Sequence, residues 1–578
     1  MAKIETGAQA QLRIDNVEVK YAITSVRLEQ QIDGHHVLTA RLHPGKEKLG
    51  SADFEDQSQF ADKLGKSVSL KIEPDVGVVE GKVLDFVGIV TQVNLDNTID
   101  AINFVTITAH SPTVLLDGIP RYLFYHEMKY SDIVKQVVGQ HQITMGEIEA
   151  TAKEMPYTVQ YQETDYHFVM RLASAAGLFA HYDGKEFKMT KASSQNPVGL
   201  AWNETLGAFS MGLGTSAAGY AAHAWNPESK AGLEGTGNAA KSTSGSKLQS
   251  ASTKASQDMY GDDGFVSGGQ ALDLATVDAV ALRSSERAVA RMVRCHGESI
   301  VPEVCTGGCV EVSGMEKMNG QYYITQVTHT IDDSGRYSNR FECVPIGMAY
   351  PNGGFALPPI TQLQSALVTD NNDPDKGGRV KVKFPDLDQD ETPWLRVSTF
   401  GAGPEHGMYI IPEVDTEVLM GYRYGDPRHP IVLGTLYNGS DQPPSNAPDP
   451  DNNVKMFMTR SGNEITFTDK DGEEEIKISQ KDGKNIMVLN LKTPSIAIES
   501  EGDISIKGKT ITLETSQGDL KIKSAGKVQQ ESTADLQIKA GMNLKAEGSL
   551  NCEVKGGAQT KVEGGAMVEV KGAMVKIN

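Results

Sequence analysis

An apolar pair recurs about every eight residues through roughly the last ninety positions of this 578-residue chain, a period that is neither helical nor that of an ordinary hairpin. From Val488 onward the pairs are Ile496/Ile498, Ile504/Ile506, Ile511/Leu513, Leu520/Ile522, Val528/Gln530, Leu536/Ile538, Leu544/Ala546, Cys552/Val554, Thr560/Val562, Val568/Val570 and Val575/Ile577. Gly or Ala often stands two or three positions ahead of a pair, as at Gly502, Gly518, Gly526, Ala534, Gly557 and Gly565. The two members sit at i and i+2, so they share one face of a short strand, while Lys, Glu, Asp and Gln take the other. Two inward side chains per strand are too few to bury a core within one chain. Three copies wound together close a triangular prism with every pair inside, so the repeat predicts a homotrimer. Its expected core is Ile496, Ile498, Ile504, Ile506, Leu520, Ile522, Leu536, Ile538, Leu544, Val554, Val562, Val568 and Val570. At about 4.8 Å of rise per octad the needle is on the order of 50 Å long, and a rod without open sheet edges suits piercing or load bearing. Gln530 and Thr560 fall in inward slots, where a trimer would gather them into polar rings around water or an ion.

The chain is long enough for three or more domains, and 39% hydrophobic with 22% charged residues is ordinary for a globular protein. Its 58 glycines beside 6% aromatic residues lean toward β structure with many turns. A formal charge of −20 becomes about −60 in a trimer, which repels phosphate backbones and anionic lipid, so nucleic acid is not an expected partner. Met1-Ala-Lys-Ile-Glu-Thr-Gly lacks the apolar core of a signal peptide, and no stretch approaches a membrane span. Synthesis and folding in the cytoplasm are expected, with any export carried out by another machine. Five cysteines are too few and too scattered for a secreted disulfide scaffold.

Residues 10–115 alternate strongly, as in Val68-Ser-Leu-Lys-Ile and Ile102-Asn-Phe-Val-Thr-Ile-Thr-Ala, which reads as a β-barrel or sandwich with one wet face. Residues 130–141 read as an amphipathic helix with Ser131 as its N-cap and Ile133, Val134, Val137 and Val138 on one side; a second helix is expected over 164–176 and a third over 270–294. Residues 226–262, rich in Ser, Lys, Ala and Gly, read as a flexible linker. Gly235-Thr-Gly-Asn-Ala-Ala-Lys-Ser-Thr within it imitates a phosphate loop, but Ala240 stands where a glycine belongs. Cys305 and Cys309 with His296 offer only three soft ligands, so buried free thiols are expected in place of a zinc site. Asp386-Leu-Asp-Gln-Asp-Glu391 lacks the glycine and final glutamate of a calcium loop and reads as a solvated acidic loop.

Val159, Gln160, Tyr161, Glu163, Thr164, Asp165, Phe168, Arg171, Leu172 and Gly177 match a spaced hub motif, and here the chain resembles the VgrG family, the spike proteins of type VI secretion. Thr164 or Asp165 is expected to cap the helix, Phe168 and Leu172 to bury, and Gly177 to end it; Glu163, Asp165 and His167 read as capping or solvated groups, not as a catalytic set. Tyr322-Tyr-Ile-Thr-Gln-Val-Thr-His and Arg340-Phe-Glu-Cys-Val-Pro also look like VgrG. Gly378-Arg-Val-Lys-Val-Lys-Phe-Pro, Trp394-Leu-Arg-Val-Ser and Gly425-Asp-Pro-Arg-His-Pro-Ile-Val-Leu-Gly resemble the oligonucleotide-binding-fold collar of phage tail spikes, and Arg460-Ser-Gly-Asn-Glu-Ile resembles the start of the family's β-prism.

The resemblance implies a mainly β protein: a barrel hub over 1–355 with an α+β insertion at about 120–190, a collar over 360–440, and a trimeric triple-stranded β-helix (β-prism) over 454–578. It implies a homotrimeric spike and hub of a contractile injection system that pierces a target envelope, with transient contact with the target membrane. The implied partners are a hexameric tail-tube protein at the hub, baseplate proteins, and a conical PAAR-like tip protein on Val568, Val570, Ala573, Met574, Val575, Ile577 and Asn578. No catalytic residue, metal or cofactor is expected. The rival readings are the spike of an extracellular phage-tail-like particle or prophage baseplate, a hydrolytic effector, and a passive fibre. Against the effector, the chain carries no Gly-x-Ser-x-Gly or His-Glu-x-x-His motif, roughly fifteen residues at 438–453 cannot hold an inserted lysozyme domain, and no extension is expected beyond the last apolar pair.

Overall fold

The computed structural model describes residues 6–43, 60–75, 79, 81–97, 103–241, 247–261, 264–270, 273–350, 354–385 and 391–577. It divides into two units, 1–445 and 446–578. The acidic loop 386–390 and the terminal Asn578 lie outside the described residues.

A long hairpin, Gly320–Ile331 with Arg336–Pro345, organises the first unit. Toward its turn it closes a ring of eight strands. From Gly320–Ile331 the ring passes through Ala22–Gln31, Val37–His43, Asn103–His110, Leu84–Asn97, Ser67–Pro74 and Thr6–Ile14, and returns to Arg336–Pro345. The alternation noted in the sequence is the cause: Leu12, Leu28, Leu38, Leu70, Ile72 and Phe86 point inward and are buried. Toward its open end the same hairpin pairs with a second set of strands. Val293–Ser299 and Leu206–Leu213 follow on one side, Cys309–Ser313 and Val198–Ala201 on the other, and a bridge between Trp202 and Leu206 links the two margins. A register shift between Ile324 and Gln326 bends the hairpin between the two barrels. Opposite Phe341 the partner strand carries Gly297, where a Cβ would stand 2.2 Å from the Phe341 ring.

The α+β region is built on the antiparallel pair Arg121–Lys129 and Glu154–Glu163. Helix Tyr130–Gly139 buries Ile133, Val134, Val137 and Val138 against Phe168 and Leu172 of helix Asp165–Ala176. Ser131 is not the N-cap. It lies inside the first turn, and its backbone N–H and Oγ each pair with Thr151 at 3.2 Å. The hydroxyl expected to close the helix instead ties it to the loop before Glu154.

The segment expected to be a linker, 226–262, contains strand Ala231–Asn238 and helix Lys247–Tyr260. The strand pairs with Gly219–Asn226, which also pairs with Gly264–Gln270. Its glycines have a packing role. Helix Leu274–Ala290 lies so close that a Cβ at Gly235 would meet the Asp278 nitrogen at 2.5 Å, and one at Gly237 the Leu282 nitrogen at 2.2 Å. The absence of large side chains that suggests a linker is what lets a helix backbone rest on a strand backbone. The imitation phosphate loop is therefore a strand running into a short 3-10 turn at Ala239–Lys241.

The rest of the first unit holds a four-stranded sheet in the order Lys381–Lys383, Gln364–Asp370, Glu417–Tyr422, Pro430–Thr435 around Val368, Val382, Phe384, Val418, Met420 and Val432. The second unit begins as an antiparallel meander of Val454–Met458, Glu464–Thr468, Glu475–Ser479, Asn485–Asn490 and Ser495–Ser500. Gly462, Gly472 and Gly483 take positive φ in its turns.

Three buried histidines make the first unit acid-sensitive. His36, His181 and His329 are buried, and loss of solvation lowers their pKa values to about 3, 4 and 3. Below the ordinary histidine value of 6.5 the unfolded chain takes up protons that the folded chain refuses, so stability is full above pH 6.5 and falls as the pH drops toward 3. Melting temperatures of the full chain between pH 8 and 4 should be flat above about 6.5 and decline below it.

Candidate functional site

Two places carry the residues that the sequence singles out: the motif at 159–177 and the apolar repeat. In the first, strand Glu154–Glu163 ends at a bulge between Tyr161 and Glu163, where Gln162 takes φ 48°. The bulge turns Glu163 inward onto Arg171. Arg171 Nε and Nη2 donate to the two carboxylate oxygens at 2.7 and 2.8 Å, and Nη2 also donates to the Val159 carbonyl at 2.7 Å. His167 Nδ1 lies 3.1 Å from Glu163 Oε1. Burial would raise the Glu163 pKa, but the hydrogen bonds from His167 and Arg171 hold it below the ordinary carboxylate value.

Asp165 is engaged in the same way, accepting from Gln160 Nε2 at 2.9 Å, with His141 Nε2 also at 2.9 Å. Thr164, not Asp165, is the N-cap: its hydroxyl accepts from the His167 backbone at 3.2 Å. Gly177 ends the helix at φ 74°. Each carboxylate is thus held by an arginine, histidine or glutamine, and the cluster joins strand to helix instead of presenting a free base. The Glu163–Arg171 pair is not apparent in the sequence, because the bulge that aims it is a tertiary feature.

The thiols also sort by strand face. Cys295 and Cys343 lie directly opposite one another in one buried core, while Cys309 is buried elsewhere and Cys305 is half-buried. His296 points to solvent, with Nδ1 3.7 Å from Glu342. The strand alternation therefore turns His296 away from Cys295 and Cys343. No group of three or more His, Cys, Asp or Glu among the described residues has metal-binding geometry.

The repeat presents the largest feature. From 501 to 577 the described residues form no strand pairing within the chain, and all of them are exposed. Ile496, Ile498, Ile504, Ile506, Leu520, Ile522, Leu536, Ile538, Leu544, Val554, Val562, Val568 and Val570 are 53–77% exposed. Ile496 and Ile498 differ from the rest in belonging to the last meander strand, opposite Leu489 and Met487. Elsewhere charges flank the apolar positions in pairs. Asp519 and Lys521 bridge beside Leu520 at 3.5 Å, Lys561 and Glu563 beside Val562 at 2.5 Å, and Glu553 pairs with Lys555 beside Val554, as Glu569 does with Lys571 beside Val570. One edge of the chain is thus ionic and the other apolar. A continuous exposed apolar stripe of this length marks an interaction surface. The last apolar side chains, Val568, Val570, Met574, Val575 and Ile577, are exposed as well.

With this geometry in view, residues 49–335 match the family model of the phage tail baseplate hub (GPD), and residues 364–437 match that of the type VI secretion system/phage-baseplate injector OB domain. These matches define a contractile-tail hub followed by its injector domain. The chain is 24% identical over 526 residues to the type VI secretion system spike protein VgrG1b of Pseudomonas aeruginosa, spanning 81% of this chain and 68% of that protein. It is 29% identical over 238 residues to VgrG5 of the same organism, spanning 35% of this chain and 30% of that protein. A chain of the half-lidded Francisella PdpA–VgrG complex shares the fold at a TM-score of 0.56, with 9% identity over 86% of this chain and 89% of that one. The chain belongs to the VgrG family. No helix among the described residues is long and apolar enough to cross a membrane.

The buried ion pair supplies a test. Removing one partner strands a charge in the interior, so Glu163→Ala or Arg171→Ala should destabilise the first unit by about 3–5 kcal/mol, while replacing both by apolar residues of similar volume should cost much less. Urea unfolding of the single and double variants reads the difference.

Proposed function

We propose that three copies of this chain form the central spike and hub of a type VI-like contractile injection machine, acting mechanically and not as an enzyme. The observation that carries the reading is the exposed apolar stripe from Ile504 to Val570, which its own chain leaves uncovered. Two further copies cover it if each contributes the same stripe to a three-sided prism. Burying each Val, Leu or Ile then contributes roughly 1.5–3 kcal/mol, repeated at every level of the needle.

In this reading each hub offers two barrels, so a trimer presents six related modules to a hexameric tail tube. The 360–440 segment is the collar, and the needle extends over 454–578. The tip residues Val568, Val570, Ala573, Met574, Val575, Ile577 and Asn578 form a small platform for a PAAR-like protein. Baseplate proteins hold the hub, and contraction of an outer sheath supplies the work of piercing. No cofactor enters the mechanism.

Light scattering of the full chain should give about three times 62.4 kDa, and a variant ending at Glu474 should lose the trimer or hold it weakly. A stable full-length monomer would overturn the prism. Cys552 gives an independent reading. Of the five cysteines it alone is exposed, and it is the first member of the pair Cys552/Val554. On the prism axis three such thiols meet at one level, so diamide should link two chains of every three. Non-reducing gels should show covalent dimers beside monomers, and Cys552→Ser should abolish the dimers.

A further inference from the structure

An apolar stripe brings chains together without choosing which levels meet. From Leu520 to Val568 the first member of each pair stands eight residues after the one before, so sliding one chain by eight residues lays apolar pair on apolar pair again. Leu, Ile and Val attract without direction, and their burial contributes nearly the same at either alignment. Among the second members from Ile522 to Val570, Gln530 alone is polar.

The side-chain contacts on the other edge place this amide on the stripe. Gln529 Nε2 donates to Glu531 Oε2 at 3.4 Å, so these two side chains share one side of the chain, and Gln530 between them falls on the other with Val528. In the same way Leu520 lies opposite the Asp519–Lys521 bridge, and Val562 opposite Lys561 and Glu563. Gln530 is exposed, as the apolar side chains before and after it are. Thr560, two residues before Val562, also lies on this side. A hydroxyl can turn back to its own backbone, whereas a carboxamide carries two donor hydrogens and an acceptor oxygen that reach beyond the chain.

We infer that Gln530 sets the register of the three chains in the trimeric spike proposed above, a reading on which this one rests. In register, three carboxamides meet at one level and each Nε2 donates to the next Oε1 around the axis, so every amide finds a donor and an acceptor. One octad out, an amide lies level with Ile522 or Ile538 of its neighbours and has no partner, which is costly in a dry interior. A lone polar residue in an otherwise apolar coiled-coil seam acts by the same physics, fixing alignment at some cost in stability. Repeat arrays nucleate at any unit and propagate, so a chain that joins one octad out stays there unless a level rejects it.

The test counts chains that refold out of register. Two full-length forms are unfolded in urea and refolded together under reducing conditions. One retains Cys552; the other carries Cys552→Ser, Leu544→Cys and a longer tag. Diamide then links thiols that share a level. In register the two thiol positions are one octad apart and few heterodimers form, whereas a slip of one octad makes them level, and a heterodimer of distinct size appears on a non-reducing gel. The ratio of heterodimer to Cys552 homodimer should rise about threefold or more when both forms also carry Gln530→Leu, with the mass by light scattering still that of a trimer and the melting temperature unchanged or higher. Gln530→Asn, which keeps the amide, should hold the ratio of the native residue. An unchanged ratio in a trimeric Gln530→Leu overturns the register role and leaves the spike standing. Loss of the trimer in that variant also overturns it, because a register mark is not what holds the chains together. A monomeric wild type overturns the spike and the register role alike.

Discussion

The backbone pairing of Gly320–Ile331 with Arg336–Pro345 is the interaction on which the first unit depends. One hairpin supplies neighbouring strands to two barrels, so each barrel closes only if the other is in register with it. The constraint reaches individual side chains. Ile331 and Tyr337 near the turn lie in one core, while Tyr322, Ile324, Phe341 and Cys343 toward the open end lie in the other. The bulge at Ile324 and Gln326 lets one strand serve both, by changing its direction without breaking the ladder. A hub built this way resists shear between its barrels, because sliding one past the other requires breaking the hairpin that both share.

The motif at 159–177 shows the same economy at smaller scale. Glu163 and Asp165 are buried carboxylates, which are costly unless hydrogen-bonded, and Arg171 and His167 engage the first while Gln160 and His141 engage the second. Such a network specifies one geometry for the strand-to-helix junction more than it adds to net stability. Gly235 and Gly237 work by the opposite means: with no side chain at either position, helix Leu274–Ala290 rests directly on the strand.

The two units meet different physical demands. The first buries its own core, and the second leaves most of its apolar side chains in water over the stretch where the octads run. Charged pairs such as Glu553–Lys555 and Glu569–Lys571 keep one edge of that stretch hydrated. Membership in the VgrG family, a hub of paired barrels and a long exposed apolar stripe are together what the proposed spike is built on.

Much of this was legible in the sequence, because period and cap chemistry are local. The i, i+2 spacing of the octads, the alternation that buries Val68, Leu70 and Ile72, and Thr164 and Gly177 at the two ends of one helix follow from side-chain direction and backbone preference alone. What is set by distant neighbours was not legible. Ser131 looks like a cap but pairs with Thr151, and a glycine-rich strand looks like a linker until a helix thirty and more residues later settles on it. The inward turn of Glu163 toward Arg171 is likewise decided by a bulge. The sequence by itself determined the repeat, the alternation and the caps of helix Asp165–Ala176. Only the tertiary structure decided which barrels share a hairpin and which charges meet, because both depend on contacts between segments far apart in the chain.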